Sequence, residues 1–180
     1  GLVLSCAVAV PLGVAAASRP GSWVDQLCRL LTTAGVSLPT FFTGLLLAYV
    51  FYYVLGWAPS PIGRLDPYLT APPTVTGLYT VDSLIAGEPR LFLASAKQMI
   101  LPVLTLGIFV LAPLARMTRA AMIAVLSTDF VRTARASGLS STTVLVRYAL
   151  RNALLPIVTT LGMVFSFLLG MSVVVEKVFA

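Results

Sequence analysis

Charged side chains are few in this chain, and most of its positive charge lies in one segment. Residues 116–151 contain six arginines and one acid, Asp129, which leaves +5 of the formal net charge of +6. Guanidinium groups at this density can hold a segment on one side of a membrane, contact anionic lipid or bind a partner protein. This segment is therefore the first candidate for a functional surface.

The run from Asp129 to Gly138 predicts a short helix with two different faces. Asp129 is a candidate N-cap and Gly138 a candidate left-handed C′ residue, which gives a helix of two turns. At 100° per residue the apolar and basic side chains separate, with Phe130, Val131 and Ala134 on one face and Arg132 and Arg135 on another. Ala136 is small enough to let a partner's backbone approach closely. We expect this helix to insert its apolar edge into the groove of a partner protein.

A second helix is expected after Gly138. Ser140 or Ser141 would cap its N-terminus, and Arg147 and Arg151 would lie on one of its faces at positions i and i+4. This helix would then enter the membrane at Pro156.

Several kinds of catalysis are excluded by residues that the chain lacks. Histidine is absent, which removes imidazole bases, Ser-His-Asp triads and histidine metal sites. The two cysteines, Cys6 and Cys28, lie in or beside apolar runs, where we expect small hydrophobic thiols and no disulfide. The sequence has no carboxylate pair and no GxxxxGK[ST] phosphate loop. We expect no catalytic residue, no metal site and no bound cofactor in this chain.

The composition is typical of a membrane protein. Hydrophobic residues make up 58% of the chain and charged residues 10%, against roughly 25% charged in an average soluble domain. Four stretches have no charged residue and are near or above the length that a spanning helix needs: 1–17, 30–57, 98–115 and 153–175. We predict an all-α, polytopic membrane helix bundle with about four spans.

Charge also predicts which side of the membrane each loop occupies, because arginine and lysine in short loops stay in the cytoplasm. Loop 116–151 is therefore placed inside, and loop 58–97, with three basic and three acidic residues, outside. Six prolines favour an ordered outer surface, with short helices from Asp82 to Ala86 and from Leu91 to Met99. This loop either docks an outside partner or merely covers the bundle.

The predicted spans contain proline but no acidic or basic residue. Four prolines are candidate kinks or hinges: Pro39, Pro102, Pro113 and Pro156. Carriers driven by protons or sodium usually place ionisable groups near the bilayer midplane. Energy for any active transport would therefore come from a separate subunit that hydrolyses a nucleotide.

The basic segment resembles the cytoplasmic loop of binding-protein-dependent ABC importer permeases. The general Glu-Ala-Ala signature is replaced by Arg132-Thr133-Ala134, with Gly138 in register. The closer likeness is to the first-permease branch of the dipeptide and oligopeptide importers. It is carried, in order along the chain, by Pro11–Gly13 (PLG), Gly35–Phe42 (GVSLPTFF), Leu55–Trp57 (LGW), Gly77–Leu84 (GLYTVDSL), Ile100–Leu106 (ILPVLTL), Asp129–Ser140 (DFVRTARASGLS), Leu150–Pro156 (LRNALLP) and Val175–Phe179 (VEKVF).

The resemblance implies a multi-pass permease of the bacterial plasma (inner) membrane. Residues 1–180 would be a single permease domain, incomplete at both ends, that holds helices two to five of six. Its loop 127–151 would carry the coupling helix that rests on an ATPase, through Asp129, Phe130, Val131, Arg132, Ala134, Arg135, Ala136 and Gly138. The implied partners are a homologous second permease, two ATPases that bind ATP and Mg²⁺, an extracytoplasmic peptide-binding protein and membrane lipid, with no nucleic acid.

Two other classes of function remain as alternatives. A membrane-embedded enzyme would need a reactive group at the interface, and a passive channel or scaffold would need no docking helix. Within the importer class, relatives of this branch also carry nickel, glutathione or haem, so peptide is one of several substrates.

Overall fold

Every element of the described structure is helical, which confirms the predicted all-α class. The computed structural model describes residues 1–66 and 68–179. The α-helices are α1 (Leu2–Ser18), α2 (Trp23–Ser37), α3 (Thr40–Ala48), α4 (Tyr79–Ile85), α5 (Pro89–Gln98), α6 (Ile100–Leu126), α7 (Asp129–Ala136), α8 (Ser141–Thr143) and α9 (Arg151–Phe179). Two π-helical segments, Tyr49–Val54 and Val144–Leu150, continue α3 and join α8 to α9.

Two helical stretches are long and apolar enough to cross a membrane. They are α6 and the continuous stretch Ser141–Phe179, and they contain residues 100–115 of the predicted third span and the whole of the predicted fourth. Among the described residues the number rises to three if α2 and α3 together count as one broken span, while α1 is a shorter apolar helix of 17 residues. The path of four spans therefore stays a prediction.

The predicted second span, 30–57, is interrupted at Pro39, one of the candidate kinks. Helix α2 ends at Ser37, the backbone of Leu38 is extended (φ −97°, ψ 132°), and Pro39 precedes the first residue of α3. Proline has no N–H to donate, and its ring pushes the preceding residue out of the helical region. A continuous helix is therefore interrupted at Leu38 and Pro39.

The other three candidate hinges occupy two kinds of position. Pro113 and Pro156 lie inside α6 and α9, where proline removes one backbone hydrogen bond. Pro102 lies in the first turn of α6, where a backbone N–H has no partner within the helix in any case. Pro102 therefore removes no hydrogen bond of the helix, and no kink is expected there from that cause. A hinge at Pro39, Pro113 or Pro156 stays a prediction.

The chain forms two compact units, and close helix packing builds the first, which comprises Gly1–Leu38 and Gly107–Gly170. A Cβ added to Gly13 of α1 would lie 2.6 Å from the Cβ of Thr118 in α6. The hydroxyl of Ser5 donates to the carbonyl of Gly107 over 2.9 Å. Small residues thus bring α1 against α6 around a buried core of Ala9, Ala16, Ala17, Cys28, Leu114, Ala115, Met122, Ala149, Ala153 and Ile157.

A buried ion pair connects α2 to α6 within the same unit. Arg119 donates from Nε and Nη2 to the carboxylate of Asp25, with 2.9 Å between Nη2 and Oδ2. The carboxylate, whose residue is 1% exposed, also accepts the backbone N–H of Gly21. Removing one partner would leave an uncompensated buried charge, so the pair holds α2 in place beside α6.

The second unit, Pro39–Leu106 with the chain from Met171, contains the ordered outer loop. The carboxylate of Asp82 in α4 is buried and accepts the backbone N–H and hydroxyl of Thr76, both at 2.7 Å, and the N–H of Gly77 at 3.1 Å. These bonds favour the charged carboxylate, and that from the Thr76 hydroxyl is the main reason why the pKa of Asp82 lies below its ordinary value. The stretch before α4 is thereby fixed to the helix.

Both short helices predicted in the outer loop are confirmed with shifted bounds. They are α4, which begins at Tyr79, and α5, which ends at Gln98. The side-chain amide of Gln98 donates to the carbonyls of Ser60 and Ile62, at 2.6 and 3.1 Å. The loop is therefore tied down by hydrogen bonds at both of its helices.

Candidate functional site

Helix α7 lies where the short docking helix was predicted, but its N-cap is Thr128. The backbone of Thr128 is extended (φ −74°, ψ 152°), and helical conformation begins at the next residue. The prediction of Asp129 as the N-cap is therefore wrong by one position. Asp129 is the first helical residue, where its negative charge suits the helix N-terminus, and it accepts a hydrogen bond from Arg132 at 3.1 Å.

The C-terminus of α7 confirms the predicted left-handed glycine. Gly138 has φ +78°. Its N–H donates to the carbonyl of Arg135 over 3.0 Å, and the N–H of Leu139 reaches back to Ala134 over 3.4 Å. These two bonds form a Schellman motif, which ends a helix sharply and satisfies its last carbonyls. The following helix is capped as predicted by Ser140, whose hydroxyl oxygen accepts the N–H of Thr143.

One face of α7 is buried against the chain itself. Val131 is fully buried and Ala134 is 6% exposed, and both pack with buried Val144 of the π-helical segment. Further apolar contacts to this cluster come from Val125, Leu126, Leu139 and Tyr148. Val131 and Ala134 are therefore covered by the chain, and the prediction that they insert into a partner's groove is wrong for these two residues. Helix α7 is attached both to the end of α6 and to the segment that leads into α9.

The opposite face of α7 is open and mostly basic. Arg132, Arg135 and Ala136 are exposed, and we call these three residues, together with Thr133, the outer face of α7. Phe130 stands at its edge, 48% exposed, with its ring 5.6 Å from that of Tyr148. A partner that contacts α7 in this structure meets guanidinium groups and one aromatic edge.

A polar pocket of about 480 Å³ lies beside Phe130. Arg147, Tyr148, Arg151 and Asn152 line the rest of it, and we call it the arginine pocket. The predicted placement of Arg147 and Arg151 on one face is confirmed. Sequence reasoning missed Tyr148 and Asn152, although they have the same i, i+4 spacing and are joined by a hydrogen bond of 2.8 Å from the Asn152 amide to the Tyr148 carbonyl.

The exposed arginines of the outer face and of the pocket can pair with carboxylate or phosphate groups of a partner. Among residues 1–66 and 68–179, no group of three or more histidine, cysteine, aspartate or glutamate side chains could hold a metal ion. Cys6 and Cys28 are free thiols, the second of them buried. The candidate site is thus a helix packed on one face, with a basic outer face and an adjoining pocket that contains two arginines.

Comparison with known proteins gives consistent matches along the chain. Residues 9–180 match the family described as binding-protein-dependent transport system inner membrane component. The probable D,D-dipeptide transport system permease protein DdpB of Escherichia coli (strain K12) is 41% identical over 179 residues, which cover 99% of this chain and 52% of the relative.

Two further relatives have the same kind of name. The di/tripeptide transport system permease protein DppB of Pseudomonas aeruginosa (strain UCBPP-PA14) is 44% identical over 168 residues, which cover 93% of this chain and 49% of the relative. The glutathione transport system permease protein GsiC of Escherichia coli (strain K12) is 41% identical over 167 residues, 93% of this chain and 45% of the relative. The chain spans about half the length of the curated relatives it matches.

Proposed function

Because the chain belongs to the family of binding-protein-dependent transport system inner membrane components, we propose that it is a permease subunit of an ATP-driven peptide importer. Two relatives that match it over nearly its whole length are named for D,D-dipeptide and di/tripeptide transport. The apolar helices α6 and α9 are long enough to cross the inner membrane. The subunit would form half of the translocation pathway, and the other half would come from a homologous second permease.

We propose that α7 is the coupling helix. The observation that carries this assignment is the attachment of α7: its buried face packs against residues of α6 and of the π-helical segment, while its outer face is open. A displacement of α7 by a bound ATPase would therefore move two membrane-spanning elements together. Rigid-body switching between two states needs such a stiff connection.

The energy source would lie on other chains. The sequence has no phosphate loop, so two partner ATPases would bind ATP and Mg²⁺ and hydrolyse the nucleotide. A peptide-binding protein outside the membrane would deliver the substrate. The arginine excess of 116–151 and the neutral balance of 58–97 support a cytoplasmic position for α7 and an outer position for α4 and α5.

Glutathione is a second candidate substrate, because a glutathione permease is among the relatives with 41% identity. It is itself a tripeptide, so the two substrates differ little in chemical class. A binding assay on the cognate extracytoplasmic receptor, with dipeptides and glutathione in competition, would assign the preferred solute.

The test of the proposed function is uptake in proteoliposomes. The full-length permease would be reconstituted with its second permease, its ATPases and its binding protein. We expect peptide uptake only when ATP is supplied on the ATPase side and the binding protein on the other. Uptake that is equally fast without ATP would instead indicate a passive channel, and assembly without any uptake would indicate a scaffold.

A further inference from the structure

We propose that the arginine pocket binds the phosphate group of an anionic phospholipid whose acyl chains lie along the exposed apolar stripe of α9. This inference concerns a binding site, and it rests on the proposed membrane topology but not on the proposed transport activity. It rests on the charge of the pocket, on its position at the start of a membrane-spanning helix and on the side chains that follow it.

The pocket presents two guanidinium groups and no carboxylate. Its lining residues include Arg147 and Arg151 but neither aspartate nor glutamate. Asp129, the acid of this segment, is paired with Arg132. Within the described ranges 1–66 and 68–179, neither pocket arginine forms an ion pair with an acid. Two planar guanidinium groups without a counterion suit an oxyanion that offers several acceptor oxygens, as phosphate does.

The pocket adjoins a surface that suits lipid tails. The stretch Ser141–Phe179 has the length and composition of a membrane span, so Arg151 stands near its cytoplasmic end in the proposed topology. Leu154, Leu155 and Val158 follow at i+3, i+4 and i+7 from Arg151, on the same helix face. They are 43%, 79% and 58% exposed.

The distances along the helix match a lipid with its headgroup on the arginines. At about 1.5 Å rise per residue, Leu155 and Val158 lie roughly 6 and 10 Å further along the helix axis than Arg151. Acyl chains that leave a phosphate bound at Arg147 and Arg151 would therefore meet Leu155 first and Val158 next. Basic pockets at the cytoplasmic ends of membrane helices are suited to anionic headgroups.

An acidic side chain of a protein partner fits these observations less well. It would neutralise the arginines but would leave the apolar stripe of α9 uncovered, whereas one anionic lipid accounts for both. A protein partner also has exposed Arg135 available on the outer face of α7. Since Phe130 of α7 lines the pocket, a bound headgroup would contact the same helix that we propose for coupling.

The test measures lipid preference directly. The full-length permease is equilibrated in mixed micelles with equal amounts of phosphatidylglycerol and phosphatidylcholine, and the bound lipids are counted by native mass spectrometry. We expect the wild type to retain phosphatidylglycerol. The double variant Arg147→Gln/Arg151→Gln should lower this preference about thirty-fold, at roughly 1 kcal/mol for each arginine near an anionic lipid surface.

A matched control removes the same charge nearby. Arg132→Gln/Arg135→Gln, on the outer face of α7, should leave the lipid preference unchanged. The charge-conserving variant Arg147→Lys/Arg151→Lys should keep part of the lipid preference, because ammonium groups attract phosphate but lack the bidentate geometry of guanidinium. Folding of every variant is checked separately by its helix content. If either glutamine variant fails to fold, the lysine variant still measures how much the lipid preference depends on the guanidinium groups.

Two outcomes would overturn the proposal. The first is an unchanged phosphatidylglycerol preference in the Arg147→Gln/Arg151→Gln variant. The second is displacement of the lipid by soluble glycerol phosphate at the same concentration, which would mean that the pocket recognises phosphate without the acyl chains. If the first outcome comes with loss of ATPase binding, the pocket is a protein contact instead.

Discussion

Replacement of Gly138 should separate ATP hydrolysis from transport while the subunit still inserts into the membrane. Gly138 has φ +78°, and a Cβ added there meets no atom within 4 Å. Space is therefore not limiting, and the whole cost comes from the left-handed backbone, roughly 1–2 kcal/mol for a residue with a Cβ and more for a β-branched one. If α7 reaches its coupling position only with this turn formed, 1–2 kcal/mol lowers the population of that position roughly 5- to 30-fold.

The assay compares alanine, valine and asparagine at Gly138. Asparagine tolerates the left-handed region far better than valine, so it serves as the matched control for loss of glycine. Peptide uptake and ATP hydrolysis are measured in proteoliposomes that contain the full-length permease and its partners, and the ratio of the two is compared. We expect a ratio near wild type for Gly138→Asn, a ratio roughly 5- to 30-fold down for Gly138→Ala and a still lower ratio for Gly138→Val.

Two results would refute this reasoning. A fully assembled Gly138→Val complex with a normal ratio would show that the turn is only a connection between helices. An equal loss in the asparagine and valine variants would show that the backbone conformation of Gly138 is not the cause. Assembly is followed by co-purification with the ATPases, so a complex that never forms is not mistaken for one that is uncoupled.

Three further predictions concern the loops on either side of the membrane. Val131→Ala removes about two buried methylene equivalents, which lowers the stability of the folded state by about 1.6 kcal/mol. It should speed protease cleavage around α7, whereas Thr133→Ala on the exposed face should not. Equal cleavage rates in the two variants would contradict the packing of α7. The pKa of Asp82 is lowered by its bonds to Thr76. A carboxyl group with a lowered pKa stabilises the folded loop above its ordinary pKa, and this stability is lost as the pH falls through the pKa of the folded state. Protease cleavage of the outer loop should therefore rise in acid for the wild type and be independent of pH in Asp82→Asn; parallel pH profiles would refute this. A membrane-impermeant thiol reagent applied outside should label a cysteine placed at Thr74 and spare one at Thr142, in a background without native cysteines; the reverse pattern would invert the proposed topology.

Much of the fold follows from local features of the sequence. Long charge-free stretches predicted the apolar parts of α6 and α9, because a membrane span is a property of composition over about 20 residues. Gly138 and Ser140 were predicted correctly because turn and cap chemistry depends on single residues. Pro39 was a candidate kink for an equally local reason, and the structure separates α2 from α3 at this residue.

What the sequence did not reveal depends on contacts between distant residues. Asp25 and Arg119 are 94 positions apart, and no spacing rule connects them. The helical period put Val131 and Ala134 on one face of α7, but it could not show that Val144 covers this face. The π-helical segment Val144–Leu150 has no simple residue signature either. The contact between Tyr148 of this segment and Phe130 of α7 likewise follows from no spacing rule.

Cross-linking of α7 to an ATPase tests the central claim most directly. A cysteine at exposed Ala136, in the otherwise cysteine-free full-length permease, would be paired with cysteines along the groove of the ATPase subunit. We predict a cross-link whose yield differs between the nucleotide-free and the ATP-bound complex, and none from a cysteine at Thr74 in the outer loop. No cross-link from Ala136 in an assembled, transporting complex, at any groove position and in either nucleotide state, would contradict the assignment of α7 as the coupling helix.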